Sequence, residues 1–264
     1  MFDLKNQVCL ITGSYGYLAI NFIKDILKFN PIIILTGRNL KKLKRQYDEL
    51  YKNYNNIYMF QLDITNDNKI KELYKFIEEK FNRLDIIINN ANYNNKIKPF
   101  EKKNMKDVMD SLNINVVSTF NLIKIFIPLL TKTTSLFDKS TSVINFSTIY
   151  SNNAPKKNIY PSLDMVNPIE YGLSKSSINQ MTKYFAAYYG DKNIRFNLIS
   201  PGCFPNLDNV KNEVFLNYLK KKSPMNRIGK PSELSGLIVF LASESSSFIT
   251  GQNIYVDGGA NCWM

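Results

Sequence analysis

Short runs rich in Ile, Val, Leu and Phe alternate along the chain with longer segments whose apolar residues recur every three to four positions. Residues 7–11, 32–35, 57–62, 85–88, 142–146, 195–199 and 253–256 read as strands. The central ones are apolar enough to be covered on both faces. Between them, residues 18–29, 40–54, 67–81, 105–130, 169–189 and 232–242 carry the helical period. Strand, helix and strand repeated in this way imply right-handed crossovers. The expected fold is therefore α/β, a doubly wound parallel sheet of about seven strands with helices on both faces, formed by 1–264 as a single domain. Such sheets bind ligands beyond the carboxyl ends of their strands. The chemistry should sit just after the strand runs.

Composition narrows the options. With 264 residues and 44% hydrophobic content the chain can bury a full core. Its longest uninterrupted apolar stretches, such as 32–35 and 125–130, fall far short of the roughly 18 residues of a membrane span. The start, Met1-Phe2-Asp3-Leu4-Lys5, lacks a signal-peptide pattern, so a cytoplasmic protein without membrane attachment is expected. Cys9, Cys203 and Cys262 show no paired spacing, which argues against a disulfide framework or a thiolate metal site. There is no histidine. Triads built on imidazole are excluded, and no metal centre is expected. The net charge of +12 raises the question of nucleic acid. Its lysines, however, are interleaved with Glu, Asp and Asn like solvated helix faces, and no recognition motif accompanies them. A basic surface does favour anionic small ligands.

Two sets of residues carry chemistry. Tyr171 and Lys175, in Tyr171-Gly172-Leu173-Ser174-Lys175, stand four apart in the 169–189 helix and so share a face. A phenol with a free pKa of about 10 becomes a usable acid or base if a neighbouring cation favours its ionised form. The first strand runs into Thr12-Gly13-Ser14-Tyr15-Gly16-Tyr17-Leu18-Ala19 and then a helix. Glycines at such a turn let backbone approach a pyrophosphate, and the helix N-terminus offers it free N–H groups.

Taken together the chain resembles the short-chain dehydrogenase/reductase family over essentially its whole length. The resemblance rests on the glycine turn, Leu62-Asp63-Ile64-Thr65, Asn89-Asn90-Ala91-Asn92, Asn115, Asn145-Phe146-Ser147-Thr148, Tyr171 with Lys175, and Ser200-Pro201-Gly202. The tail, from Arg227-Ile228-Gly229 to Val256-Asp257-Gly258-Gly259, continues it. The resemblance implies that Tyr171 exchanges a proton with the substrate oxygen. It implies that Lys175 holds the nicotinamide ribose and helps lower the phenol's pKa, and that Asn115 anchors a water in the proton relay. The family's substrate-orienting serine falls in register with Thr148, with Ser147 beside it as the alternative. Cofactor contacts are implied for Gly13, Tyr15, Gly16, Tyr17, Leu18, Asp63, Ile64, Asn90, Ala91, Lys175, Pro201 and Phe204. A family threonine is replaced by Asn206.

At the end of the second strand, Gly37 stands where folds of this kind that use NAD place an acidic residue, and Arg38 follows. An arginine there accommodates the 2′-phosphate of NADP, so NADP(H) is expected in preference to NAD(H). Lys96 and Lys98 after the fourth strand, with Lys156 and Lys157 in a long Pro-containing stretch, offer either solvated charge or contacts to an anionic group on the substrate. The wording around 149–171 is similar to bacterial oxidoreductases of surface sugars and flagellin glycosylation. The implied activity is hydride transfer between the nicotinamide and a small-molecule carbonyl or alcohol, by a homodimer or homotetramer. A nucleotide-sugar epimerase or dehydratase and a non-catalytic dinucleotide sensor remain as alternatives.

Overall fold

A computed structural model describes residues 2–93, 98–156, 160 and 166–263. Lys96, Lys157 and Pro161 lie outside the described residues. Seven parallel strands form one sheet in the order β3-β2-β1-β4-β5-β6-β7. They are β1 (Val8–Thr12), β2 (Ile32–Gly37), β3 (Ile57–Gln61), β4 (Ile86–Asn89), β5 (Thr141–Phe146), β6 (Ile194–Pro201) and β7 (Asn253–Val256). The order reverses between β1 and β4, where a crevice opens at the carboxyl ends. Residues of β1, β4, β5 and β6 are buried throughout, and the polar ones among them, such as Asn145, Arg195 and Asn197, are hydrogen-bonded.

Helices α1 (Tyr17–Leu27) and α9 (Ser235–Ala242) pack on one face through Phe22, Ile23, Ile26, Ile238 and Leu241. Helices α4 (Asp67–Phe81), α6 (Ser118–Phe137) and α7 (Ile169–Tyr189) contribute Ile70, Leu73, Leu122, Phe126 and Phe185 to the other.

Two helical expectations are corrected and one helix is added. Residues 40–54 form two helices, α2 (Leu40–Gln46) and α3 (Asp48–Asn53). The break falls at Tyr47, whose ring is buried while its hydroxyl donates to the Ser14 carbonyl at 2.5 Å. The 105–130 helix runs on to Phe137, and it is divided into α5 (Met105–Leu112), a π-helical turn at Asn113–Val117, and α6. Its polar end escaped a reading based on apolar spacing, because Thr133 is buried through hydrogen bonds: it donates to the Leu129 carbonyl and accepts the Leu84 N–H. The whole run Met105–Phe137 has the length and mean hydropathy of a membrane span, although no uninterrupted apolar run in it does. Its Leu122, Ile123, Phe126, Leu129 and Leu130 are instead packed in the core beside the sheet. Helix α8 (Glu213–Lys221) was not expected at all, although Phe215, Tyr218 and Leu219 recur on it at helical spacing.

Candidate active site

The turn after β1 is shaped by contacts that exclude side chains. Gly13 has φ of +62°, and a Cβ there would come within 2.7 Å of the Ala91 Cα. Only glycine combines that dihedral with that approach. The Ala91 loop is held by Thr12 Oγ1, which accepts the N–H groups of Asn90 and Ala91 at 3.1 Å each, while the Asn90 amide donates to the Gly13 carbonyl at 2.9 Å. Gly16 caps α1 without a side-chain hydrogen bond, leaving the first N–H groups of the helix available to a phosphate. A cavity of about 560 Å³ begins at this turn and runs along the carboxyl ends of the strands. Every residue expected at the cofactor reaches it: Gly13, Tyr15, Gly16, Tyr17, Leu18, Arg38, Asp63, Ile64, Asn90, Ala91, Lys175, Pro201 and Phe204. The glycine turn, uncapped helix end and extended cleft fit a dinucleotide.

At the end of β2, the Tyr15 ring lies over Gly37, where a Cβ would meet it at 2.3 Å. An acidic side chain at position 37 therefore has no room beneath that ring. Arg38 is exposed beside it, and Lys42 stands 4.8 Å from the Tyr15 ring centre. Asp63 turns its carboxylate onto Thr65, accepting from its N–H at 3.0 Å and its hydroxyl at 2.7 Å. This corner thus presents cations around an aromatic ring.

At the far end of the cleft, α7 delivers Tyr171 and Lys175 from successive turns, as their spacing requires. Thr148, in the extended residue that leaves β5, lines the cleft with Tyr171, near enough for its hydroxyl to favour the ionised phenol. Ser147 instead turns to the Lys175 carbonyl at 3.4 Å. That distinguishes the two candidate hydroxyls: Thr148 faces the phenol and Ser147 does not. Asn115 is buried in the π-helical turn, where its amide donates to Ser174 Oγ at 3.0 Å and Ser111 Oγ at 3.3 Å, and its carbonyl oxygen accepts the Tyr93 N–H at 2.8 Å. It stands behind the wall of the cleft and ties α5 to α7. The extra residue in a π turn aims Asn115 at α7 while its neighbour Ile114 lines the cavity.

The electrostatics depart from the sequence expectation. Burial raises the Tyr171 pKa above its ordinary value, and the nearby Thr148 hydroxyl only partly opposes this. The cation does not bring it down here. Lys175, 4% exposed, donates to the Phe146 carbonyl at 2.8 Å and lies 5.9 Å from the Tyr171 ring centre, with its own pKa lowered by burial to about 8. Desolvation disfavours the charged form of both groups and outweighs their mutual help.

Other expectations are redistributed. Lys98 is committed to Asp107 in an ion pair of 2.8 Å, and Lys156 is exposed. Asn206 lines the cleft, but its side-chain oxygen accepts the Asp208 N–H at 3.0 Å. The cavity also draws in Tyr93, Ile114 and Asn209, which carry no sequence signal apart from their nearness to matched motifs.

Residues 29–261 match the profile of the family described as enoyl-(acyl carrier protein) reductase. The chain belongs to this short-chain dehydrogenase/reductase family, and it is an oxidoreductase moving hydride between a nicotinamide dinucleotide and a CH–OH/C=O pair. It is 28% identical over 261 residues to a 3-oxoacyl-(acyl-carrier-protein) reductase of Thermotoga maritima, covering 97% of this chain and 98% of that protein. It is 26% identical to a gluconate 5-dehydrogenase of Gluconobacter oxydans, covering 98% and 96%. Among solved structures, a short-chain dehydrogenase from Leptospira borgpetersenii with bound NAD+ superposes with a TM-score of 0.85 at 29% identity, covering 98% and 94%. A gluconate 5-dehydrogenase from Burkholderia cenocepacia in complex with NADP and tartrate superposes at 0.87, with 22% identity, covering 100% and 98%.

Proposed function

We propose that the chain is an NADP(H)-dependent carbonyl reductase or alcohol dehydrogenase in which Tyr171 is the general acid and base. The observation that carries the catalytic assignment is the meeting of Tyr171, Thr148 and Lys175 at one end of the dinucleotide cleft, with Lys175 one turn along α7 from Tyr171. Bound nicotinamide supplies or accepts the hydride. Thr148 then orients the substrate oxygen, and Tyr171 gives it a proton in reduction or takes one in oxidation. Lys175 would hold the ribose hydroxyls of the bound cofactor, and its charge beside the phenol would favour the phenolate. Asn115 positions Ser174 and the start of α7 and is the residue from which a water-borne proton relay would lead away.

The preference for NADP(H) is supported by Arg38 and Lys42 flanking Tyr15 and by the absence of room for an acidic side chain at Gly37. Binding titrations with NADPH and NADH test it: NADPH should bind more tightly, and a preference for NADH would overturn it. For the substrate we favour a polyol, sugar or hydroxy acid; relatives named as gluconate 5-dehydrogenase support this class. A screen of hydroxy acids, keto acids and sugars with NADP+ or NADPH, read at the nicotinamide absorbance, tests it. Phe120, Leu173, Tyr184 and Tyr188, exposed on α6 and α7, support self-association into a homodimer or homotetramer in the cytoplasm.

A further inference from the structure

Lys222 is a buried cation that the mechanism above does not use. Lys222 follows α8 and is 9% exposed, yet among the described residues no carboxylate lies within ion-pair distance of it. Its ammonium donates to the Tyr150 hydroxyl at 2.5 Å and to the Tyr160 hydroxyl at 3.2 Å, and those two hydroxyls are 2.7 Å apart. It also lies 5.2 and 4.8 Å from the two ring centres. Tyr160 is held in turn against Phe215 and Tyr218 of α8, with ring centres 6.1 and 6.5 Å away. Charge buried without a counter-charge is costly unless donors and acceptors are matched.

The donors exceed the acceptors. An ammonium has three N–H groups and two phenols have two O–H groups. One O–H is used between the phenols and two N–H groups are used on them. One N–H and one O–H are left without an acceptor among the described residues.

The cluster adjoins the reacting centre. Tyr150 follows Thr148 in one turn, and its N–H donates to the Thr148 hydroxyl at 3.4 Å. On the opposite side Cys203, next to Gly202 in the cleft, is close enough to act electrostatically on both Tyr150 and Lys222. Lys222 and Cys203 line a second cavity of about 300 Å³, and Phe204 is a wall of both cavities. The other charged groups in the second cavity are already engaged. Arg227 pairs with Glu233 at 2.7 Å, and Asp257 accepts the N–H groups of Gly259 and Asn261 at 2.9 and 2.8 Å.

We propose that Lys222, Tyr150 and Tyr160 form an anion subsite that holds a carboxylate of the reacting substrate. A carboxylate brings one charge and two oxygens, matching one ammonium and the two leftover donors. A phosphate dianion would need a second cation, and Arg227 is taken. The subsite rests on the reading of the neighbouring cleft as an oxidoreductase centre only for what the carboxylate is attached to.

The test is a binding titration of the protein saturated with NADPH, using acetate, glycerate and gluconate, the amide of each, and inorganic phosphate. At least one carboxylate should bind more tightly than its amide. Lys222→Met should erase that preference, weakening the acid by roughly 10- to 100-fold, the worth of a charge-assisted contact. Tyr160→Phe, which keeps the ring contacts and removes one donor, should weaken it by several-fold and guards against misfolding of the first variant. An acid-to-amide ratio unchanged by Lys222→Met, no carboxylate preferred over its amide, or a preference for phosphate would each overturn the subsite. Tyr171→Phe, assayed for turnover beside the same titration, separates the two readings: retained turnover would remove the catalytic assignment while the carboxylate preference stood or fell by itself.

Discussion

Replacing Thr148 with valine removes one hydroxyl and keeps the branched shape, so it isolates what that hydroxyl contributes beside Tyr171. Thr148 is 6% exposed and sits in extended backbone, where valine is at ease. The hydroxyl opposes the burial that raises the Tyr171 pKa, so its loss must raise that pKa further. A hydrogen bond to an ionised partner contributes about 1.5 to 3 kcal/mol, which corresponds to roughly 10- to 100-fold in rate. In alcohol oxidation the phenolate is the base, and the rate rises with pH as it forms. The expected result for Thr148→Val is a fall of that size in kcat/KM at neutral pH, with the rising limb of the pH profile moved to higher pH. Thr148→Ser should retain most of the rate, and Ser147→Ala should leave the limb in place. Steady-state oxidation with NADP+ across pH 6 to 10 reads all three, taking those limits as about the neutral and phenol ranges. A Thr148→Val profile that keeps its limb while Ser147→Ala shifts it would refute the assignment.

Lys175→Met in the cofactor-free protein should be stabilising at neutral pH. The folded pKa of Lys175 is lowered to about 8 from its ordinary 10.5. The unfolded chain therefore binds more protons between those values, and the wild type gains stability as pH rises through that window. The advantage of the methionine variant is at most about 3 kcal/mol below pH 8, is offset by the lost Phe146 hydrogen bond, and shrinks toward pH 10; thermal melts at the two pH values measure it. Arg195→Met should cost about 2 to 4 kcal/mol in denaturant melts, because the buried guanidinium donates to the carbonyls of Leu241 and Ser243 and to the hydroxyls of Ser140 and Ser246. Gly37→Asp should abolish tight NADPH binding without conferring NADH binding, since the new side chain would collide with the Tyr15 ring. Fluorescence titration checks it, and a switch to NADH would show that the ring is easily displaced.

Much of this architecture is legible from periodicity, because six of the seven strands are short apolar runs between amphipathic helices. Asp67–Phe81 and Ile169–Tyr189 begin and end where their patterns do. Helix starts at Asn39, Asn66 and Asn104 are fixed by side chains that accept the N–H three residues on. What local sequence could not show was set by tertiary contacts. Tyr47 breaks a helical pattern because Ser14, 33 positions away in sequence, offers its carbonyl. The π turn at Asn113–Val117 exists where Asn115 must reach Ser174 across 59 positions.

The site divides along the same line. The glycine turn and the Tyr171 and Lys175 pair are local spacings, and both are found at the cleft. The choice of Thr148 over Ser147 depends on which way two adjacent residues point as β5 ends, and alternation along a strand decides it only once the sheet is in place. The direction in which Tyr171 and Lys175 are shifted depends on burial, to which sequence spacing is blind. The Lys222 cluster joins residues 72 and 62 positions apart, so no motif announces it.

The most direct test of the central assignment is Tyr171→Phe, which removes one oxygen from the cleft and leaves the ring. Turnover with NADP(H) should fall by roughly 100- to 10,000-fold, the worth of a positioned general acid, while NADPH binding stays within a few-fold of wild type. Turnover close to that of the wild type, with the cofactor still bound, would contradict the account.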